Sequence, residues 1–239
     1  MKRLTMRARG GFTRVELAVV IVVVALLGTM LFPALKRAQE KARRITCIGN
    51  LEGLGNDYRL WTQDHGHLVP SQASMTNGGW RELLTNSNAG QYCWKYFAIM
   101  RTNLGDPPAI VVCPTDERRP ASSFTNGFDN THVSYFVGVD ADDIHPQAIL
   151  GGDRNLGPGL VPAADYGYSP ANGKGNDVVL STNSPVCWSW KMHSHGNAIG
   201  SGNILLGDGS CQQISSANLR LVWLPNAQTE TNGIRLVFP

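Results

Sequence analysis

The hydrophobic pattern of the first 64 residues predicts one long helix with two kinds of surface. Residues 17–32 carry no charged side chain, and residues 17–35 as an α-helix would extend about 28 Å, close to the thickness of a bilayer's hydrocarbon core. Between residues 35 and 61, apolar positions recur every three or four residues among Lys, Arg, Gln and Glu, as in an amphipathic helix. We expect the first half to cross a membrane and the second half to pack on a folded domain.

Proline and glycine residues interrupt the helical pattern. Pro33 lacks a backbone N–H and is expected to kink the helix. Glycines at positions 49, 53 and 55 each cost about 1 kcal/mol relative to alanine. The second half of the helix therefore needs support from tertiary contacts.

After Asp64 the apolar residues no longer recur with a helical period, and they occur instead mainly in short runs typical of strands. Short helices are predicted at residues 80–85 and 94–102. Apolar runs between Gly, Pro, Asn and Asp clusters predict strands at residues 109–113, 133–139, 148–150, 178–181, 203–206, 211–214 and 234–238. The pair Asp208-Gly209 between two apolar runs predicts a hairpin. The fold class is therefore α+β, with a long N-terminal helix packed on a loop-rich antiparallel sheet.

Composition narrows the possible partners. The chain has 239 residues, of which 42% are hydrophobic and only 16% charged, so it can bury a core and is not disordered. The formal net charge is +3, with most of the excess near the N-terminus. No basic face for nucleic acid is predicted elsewhere.

Glu16 is the one carboxylate near the start of the apolar run. A charge at the centre of a membrane helix costs about 2.5–3.5 kcal/mol, and less near its end, so such a group normally has a partner. Arg14 is two residues away and points to another face of the helix. If the chain were cut after Gly11, the free α-amino group of Phe12 would lie near this depth. The apolar run is not followed by the A-x-A pattern of a cleaved secretory signal, which favours an anchor.

The segment "GGFTRVELAVVIVVVALLGTMLFPAL" resembles the N-terminus of type IV pilins and type II secretion pseudopilins. The resemblance implies that a prepilin peptidase cleaves between Gly11 and Phe12 and methylates the new amine. It also implies that Glu16 pairs with the N-terminus of an adjacent subunit, and that Pro33 stands at the family's usual place. Arg14 departs from the leucine that is commoner in the family.

This resemblance implies a structural subunit and not an enzyme. The segments would be a leader (1–11), a transmembrane and assembly helix (12–35), the amphipathic second half of the helix (36–64) and an exported β-rich domain (65–239). The partners would be other pilin or pseudopilin subunits, the prepilin peptidase, an inner-membrane assembly platform and membrane lipid. The chain would span the inner membrane once, with its globular domain in the periplasm, and would enter a periplasmic or extracellular filament on assembly. Its length favours a minor or specialised subunit.

Later blocks, among them "RRITCIGNLEGLGNDYRLWTQDHG" and "VVCPTDERRPA", resemble a group of prepilin-like proteins of planctomycete- and verrucomicrobium-type bacteria. Cys47 and Cys113 recur together in that group, which implies a disulfide between helix and sheet; buried free thiols are the alternative. The group also carries a histidine before an Asp-Gly pair; here the candidates are His195 and Asp208, with a longer spacing than usual. The chain has five cysteines, so at least one thiol stays unpaired.

An acidic loop and a pair of histidines are the candidate metal sites. Asp140, Asp142 and Asp143 offer hard oxygen ligands suited to Ca²⁺, and related pseudopilins hold calcium in a C-terminal loop; a solvated acidic turn is the alternative. Asp153 is expected to form an internal ion pair or to cap a turn.

A second function remains open from the residues alone. His193 and His195 alternate, so on a strand both would face one side, and with Asp208 and the Asp140 loop they would form a metal site. The chain would then be a membrane-anchored exported enzyme or a carbohydrate- or ligand-binding protein. Its tryptophans would form a platform for sugar, although core packing is the default for such residues; the candidates are Trp80, Trp188 and Trp190.

Overall fold

The computed structural model of the chain is an α+β protein and describes residues 11–85, 88–142, 144–194, 200–227 and 233–239. The chain divides into two compact units, Met1–Ala42 and Arg43–Pro239. The division falls inside the segment 36–64, in the middle of the first helix.

The first helix, α1, runs without interruption over Arg14–Asp64 and includes Pro33. This confirms the prediction of a single long helix. Its N-terminus is closed by a capping box, in which Thr13 and Glu16 satisfy each other's backbone N–H groups. The large apolar side chains between Val15 and Leu35 are all between 48% and 75% exposed. Among the described residues, α1 is the helix long and apolar enough to cross a membrane.

In the second unit, α1 contributes a stripe of buried residues with helical spacing. The stripe consists of Cys47, Leu51, Leu54, Gly55, Tyr58, Trp61 and Thr62. It begins later than the sequence pattern indicated, because Ile45 is 61% exposed and Cys47 takes the buried position one half-turn further on. Packing therefore starts close to the boundary between the two units.

The remaining helices are short. The α-helices are α2 (Cys93–Ile99), α3 (Arg101–Leu104), α4 (Ser216–Asn218) and α5 (Leu224–Asn226), with a π-helical segment, Leu219–Trp223, between the last two. The 3₁₀ helices are Met75–Asn77, Arg81–Thr85, Ala89–Tyr92, Ala109–Val111, Asn130–His132 and Met192–Ser194.

Eight strands form two antiparallel sheets. They are β1 (Tyr135–Gly138), β2 (Ile149–Asp153), β3 (Leu156–Pro158), β4 (Asn176–Leu180), β5 (Val186–Trp188), β6 (Ser201–Leu206), β7 (Cys211–Ser215) and β8 (Ile234–Phe238). The main sheet has the order β4-β8-β1-β2-β6-β7, and β3 pairs with β5 in a separate ribbon. The hairpin predicted at Asp208-Gly209 is confirmed: β6 and β7 pair through Leu205 and Cys211, and Gly209 takes a φ of 78°, which an L side chain rarely adopts.

One predicted strand was wrong, and two strands were not predicted. Residues 109–113 form a 3₁₀ helix, Ala109–Val111, and not a strand, since the two prolines before this apolar run favour a turn over extended pairing. Strands β3 and β5 were missed because each has only three residues, too few to show an alternating pattern.

The central strands β1, β2 and β6 of the main sheet are buried on both faces, whereas the edge strands β4 and β7 are partly exposed. On one face, alternate strand residues such as Tyr135 and Val137 pack with the buried stripe of α1 and with α2. On the other face, Phe136 and Ile204 belong to a second core with Trp188 of β5. Successive strand residues point to opposite faces, which explains how neighbouring residues belong to different cores.

Two glycines of α1 are expected to respond to alanine in opposite directions. Gly49 is exposed, and an added Cβ would meet no atom within 4 Å, so Gly49→Ala should raise the free energy of unfolding by about 0.5–1 kcal/mol. At Gly55 the same Cβ would lie 2.9 Å from Leu205 Cδ1 and 3.3 Å from the Cα of Gly209, and Gly55→Ala should cost about 1–3 kcal/mol. Chemical denaturation of the two variants measures both effects, and equal shifts would contradict the packing of α1 on the β6–β7 hairpin.

Candidate metal centre

Four potential metal ligands meet in the interior of the second unit, Arg43–Pro239, which is called the globular unit below. They are Cys47, Cys113, Asp153 and His193, and their ligand atoms all lie within 4.8 Å of one another. Each residue comes from a different element, namely α1, the turn after the 3₁₀ helix Ala109–Val111, the end of β2 and the 3₁₀ helix Met192–Ser194. The fold therefore assembles a site that no single stretch of sequence contains.

Backbone contacts fix the two cysteines. Cys47 lies on the buried stripe of α1. Cys113 begins a turn in which its carbonyl accepts a hydrogen bond from the N–H of Asp116 at 2.9 Å. One helical turn after Cys47, the side chain of Asn50 donates to the carbonyl of Val112 at 3.1 Å, so α1 and the Cys113 segment are held together directly.

His193 and Asp153 are held at the start of β6. The Ser201 hydroxyl donates to the carbonyl of His193 at 3.0 Å, and the guanidinium of Arg44 donates to the same oxygen at 2.6 Å. Asp153 Oδ2 accepts the backbone N–H of Asn203 at 2.7 Å. Both side chains are 0% exposed.

Three of the distances within the cluster are 3.3–3.5 Å. His193 Nε2 lies 3.3 Å from Cys113 Sγ and 3.5 Å from Asp153 Oδ2. Cys47 Sγ lies 3.3 Å from Asp153 Oδ1. The ligand atoms of the four side chains therefore lie close together, with Asp153 facing Cys47 through Oδ1 and His193 through Oδ2.

Additional polar groups surround the cluster. The hydroxyl of Thr115 lies 3.0 Å from Cys113 Sγ and 3.4 Å from His193 Nδ1. The phenol of Tyr135 lies 3.4 Å from Cys47 Sγ, and the side-chain amide of Asn203 donates to that sulfur at 3.5 Å. Each sulfur therefore has at least one hydroxyl or amide neighbour besides the other three side chains.

The groups of the cluster shift one another's pKa values. Burial raises the pKa of Cys47 well above that of an ordinary thiol, whereas at Cys113 hydrogen bonds from Cys47 and His193 outweigh burial and lower the pKa. Burial raises the pKa of Asp153 to about 7, against the opposing charge of His193. Burial would lower the pKa of His193, but Asp153 and Cys113 outweigh it and raise the value. Cys113 is therefore the more acidic of the two thiols.

This arrangement supports metal binding or disulfide formation better than catalysis on a substrate. Cys113, His193 and Asp153 have the residue types of a nucleophile, a base and an orienting acid. However, Cys47, Cys113 and Asp153 are 0% exposed and His193 is 1% exposed, and a nucleophile must meet its substrate. A metal ion or a bond between the two sulfurs needs no such opening. Both cysteines are free thiols in the structure, and the Cys47–Cys113 disulfide stays a prediction.

The N-terminal site residues lie at and before the start of α1. Gly11 and Phe12 precede the helix, and Phe12 is 83% exposed. The backbone N–H and the hydroxyl of Thr13 both donate to Glu16 Oε2, at 2.8 and 2.9 Å. The sequence reasoning treated Glu16 as lacking a partner in its own chain and missed this local cap, although the spacing Thr13-x-x-Glu16 is a capping-box signature.

The acidic loop has other partners. Asp140 Oδ2 accepts the N–H of Arg235 at 2.9 Å. Asp142 Oδ1 accepts the N–H groups of Ile144 and His145 and lies 2.8 Å from His145 Nδ1. Asp143 lies outside the described residues. The calcium site stays a prediction, and the convergent cluster of the described residues lies elsewhere.

The proposed histidine site is not brought together in the described residues. His195 lies outside them. His193 contacts Ser201 at the first residue of β6, whereas Asp208 lies two residues beyond the other end of that strand. Asp208 accepts the N–H of Ser210 at 2.8 Å, in agreement with a turn residue.

The tryptophans do not form a common surface. Trp80 and Trp188 are fully buried, and Trp190 is 48% exposed. Core packing accounts for the first two.

Sequence reasoning considered all four cluster residues but did not combine them. It paired Cys47 with Cys113, placed His193 with His195, and assigned Asp153 to an ion pair or a cap. Metal-ligand patterns are recognised by short spacings such as C-x-x-C, and these four residues are too far apart in the chain for such a pattern. Comparisons with protein-family models, curated proteins and solved structures found no match to this chain.

Proposed function

We propose that the chain is a structural subunit, minor or specialised, of a type IV pilus-like or type II secretion pseudopilus filament. In this proposal a prepilin peptidase cleaves it after Gly11, and the mature chain is held in the inner membrane by α1 with its globular unit in the periplasm. Assembly then proceeds through α1. The observation that carries the proposal is the exposed apolar first part of α1, with a single carboxylate, Glu16, at its beginning.

The exposed part of α1 needs an apolar environment. Scattered apolar residues are normal on protein surfaces, but a large contiguous patch marks a protein or membrane contact. On this helix the exposed residues run through the whole segment and cover every side of it. Lipid before assembly and neighbouring helices after assembly would both cover such a surface.

The geometry of Glu16 leaves it able to bind an amine. Both hydrogen bonds from Thr13 go to Oε2, so among the described residues Oε1 has no protein donor. A cut after Gly11 would keep Thr13 and Glu16 in the mature chain and would create an amine at Phe12. The carboxylate can therefore cap its own helix with one oxygen and pair with the amine of another copy through the other.

We expect Glu16→Ala to leave cleavage and membrane insertion intact but to reduce filament assembly more than about tenfold, since hydrogen bonds to charged groups contribute about 1.5–3 kcal/mol. Glu16→Gln should be nearly as defective because it keeps the shape but removes the charge. Filaments sheared from cells and quantified by immunoblotting and electron microscopy give the measurement.

Two control variants distinguish a role of Glu16 in subunit pairing from a general effect of charge on α1 and from helix capping. Glu40→Gln removes the same charge from an exposed position further along α1 and should assemble normally. Thr13→Ala removes the cap but keeps the carboxylate, and should cost at most about 0.5–2 kcal/mol of helix stability while leaving filaments. Assembly lost equally in Thr13→Ala and Glu16→Ala would assign Glu16 to capping alone.

The mature chain should begin at Phe12 and carry one methyl group on its amine. Intact-mass spectrometry of the protein from membranes or filaments measures both features. A chain that retains residues 1–11 in its natural host would overturn the proposal.

A further inference from the structure

The ligand atoms of the four-residue cluster are close enough together for one tetrahedral metal ion. In a tetrahedron, ligand atoms at zinc bond lengths of 2.0–2.3 Å lie about 3.3–3.8 Å apart. Three separations in the cluster fall in this range: 3.3 Å for Cys113 Sγ to His193 Nε2, 3.3 Å for Cys47 Sγ to Asp153 Oδ1, and 3.5 Å for His193 Nε2 to the other oxygen of Asp153, Oδ2. We propose that Cys47, Cys113, Asp153 and His193 bind one structural Zn²⁺ that joins the second half of α1 to the sheet.

The chemistry of the donors selects zinc over the alkaline-earth ions. Two sulfurs, one imidazole nitrogen and one carboxylate oxygen form a mixed set that suits a borderline-soft, four-coordinate ion, whereas Ca²⁺ and Mg²⁺ take oxygen ligands. All four positions are filled by the protein, and all four residues are buried. A closed site of this kind is structural, because a catalytic zinc keeps a position open for water or substrate.

The polar groups around the cluster are placed to hydrogen-bond to the four ligands, as the groups around a bound metal usually do. With Nε2 facing the centre, His193 would donate its Nδ1–H to the hydroxyl of Thr115, 3.4 Å away, which fixes the tautomer that binds metal. The N–H of Asn203 holds Asp153, and Tyr135 and the Asn203 amide lie beside Cys47 Sγ. These contacts orient the ligands independently of the ion.

The charges nearly balance. Two thiolates and one carboxylate around Zn²⁺ leave a net charge of −1. The guanidinium of Arg44, bound to the carbonyl of His193, supplies a compensating positive charge. Without a metal, the same buried space holds an acid, a base and two thiols, and buried ionisable groups are costly unless they are paired or coordinate a metal.

A disulfide between Cys47 and Cys113 is the competing state. Its formation would transfer two protons and two electrons from the thiols to an external oxidant. Asp153 and His193 would then have no metal to bind. Asp153 and His193 also lie in the cluster, and each is held by its own hydrogen bonds. Zinc binding explains their position there, whereas a disulfide does not. The proposal does not depend on filament function.

The first test is the metal content of the full-length chain, purified in detergent without chelator and without added metal. We expect about one zinc per chain by elemental mass spectrometry and unchanged mass at both cysteines. Cobalt exchange should give the visible and near-ultraviolet bands of a tetrahedral thiolate site. A chain without metal, either with a Cys47–Cys113 disulfide or with both thiols free, would overturn the proposal, as would a different metal.

Variants locate the ion. Cys113→Ser, Asp153→Asn and His193→Gln should each lose the zinc. Because these variants can fail to fold, Thr115→Val tests the site with its ligands intact and should weaken zinc binding about 10–100-fold. Cys93→Ser is the matched control, since Cys93 is also a buried thiol of the same core but lies outside the cluster. Full zinc binding in Thr115→Val and in Asp153→Asn, or zinc loss in Cys93→Ser, would contradict the assignment.

Discussion

Replacing Trp188 with alanine is expected to lower the free energy of unfolding of the globular unit by about 3–5 kcal/mol. The side chain is 0% exposed and belongs to the second core. Its ring packs so closely on Gly202 that a Cβ there would lie 2.5 Å from Trp188 Cε3. Truncation would therefore leave a large cavity between β5 and β6 that the surrounding backbone cannot fill.

Two further variants distinguish packing from ligand binding. Trp188→Phe should cost much less than Trp188→Ala, because the indole N–H is buried with no hydrogen-bond partner among the described residues and its removal relieves a desolvation cost. Trp190→Ala, at a half-exposed position, should change stability by less than about 1 kcal/mol. Urea unfolding followed by circular dichroism measures all three. A stable Trp188→Ala variant that loses sugar binding would instead support the carbohydrate platform.

The sequence predicted the part of the fold that depends on local periodicity. The long helix, the strands β1, β6, β7 and β8 and the β6–β7 hairpin all show a period or a turn signal within a short window. The second core was not predicted. It depends on the irregular segment formed by α4, the π-helical residues and α5, where changes of helix type and Pro225 obscure any single period.

The cluster could not be predicted because its geometry is tertiary. Its ligands come from four elements. The segment that leads to Cys113 was predicted as a strand but begins with the 3₁₀ helix Ala109–Val111, and His193 was considered together with His195 on a strand, whereas Met192–Ser194 is a 3₁₀ helix. On a strand, His193 and His195 would share one face, which favoured grouping these two histidines over combining His193 with the cysteines. Local patterns carry no information on the tertiary contacts that bring Cys47, Cys113 and His193 together.

Helix α1 carries residues of both the proposed assembly surface and the proposed zinc site. Its first part carries the exposed apolar surface and Glu16, and its second part carries Cys47 and the buried stripe. If filaments form through the first part, any force on a subunit reaches the globular unit through this continuous backbone. A zinc ion on Cys47 would strengthen the attachment at the first buried position of α1 in that unit.

Replacing Asp116 with asparagine is expected to destabilise the globular unit by about 3–5 kcal/mol, because it leaves buried positive charge unpaired. Arg154 donates to both oxygens of Asp116, at 2.7 and 2.8 Å, and the two side chains are 3% and 0% exposed. A second cation lies close by: burial and the charge of Arg154 lower the pKa of Arg118 to about 10. Asp116 thus compensates two crowded guanidinium groups.

The effect should depend on pH in a defined direction. Burial would raise the pKa of Asp116, but the hydrogen bonds and charge of Arg154 outweigh it and lower the value. A carboxyl group with a lowered pKa in the folded state stabilises above its unfolded pKa of about 3.9, and this contribution is lost as pH falls through the folded value. The difference in stability between the wild-type chain and Asp116→Asn should therefore be constant near neutral pH and shrink below about pH 4.

The adjacent residue supplies the control for this prediction. Glu117 forms an ion pair with Lys191 at 2.7 Å, but its side chain is 68% exposed, so Glu117→Gln should cost less than about 1 kcal/mol. Urea unfolding at a series of pH values, from neutral to acid, compares the two variants with the wild-type chain. Equal effects of Asp116→Asn and Glu117→Gln, or a stability difference that grows on acidification, would contradict a buried ion pair between Asp116 and Arg154.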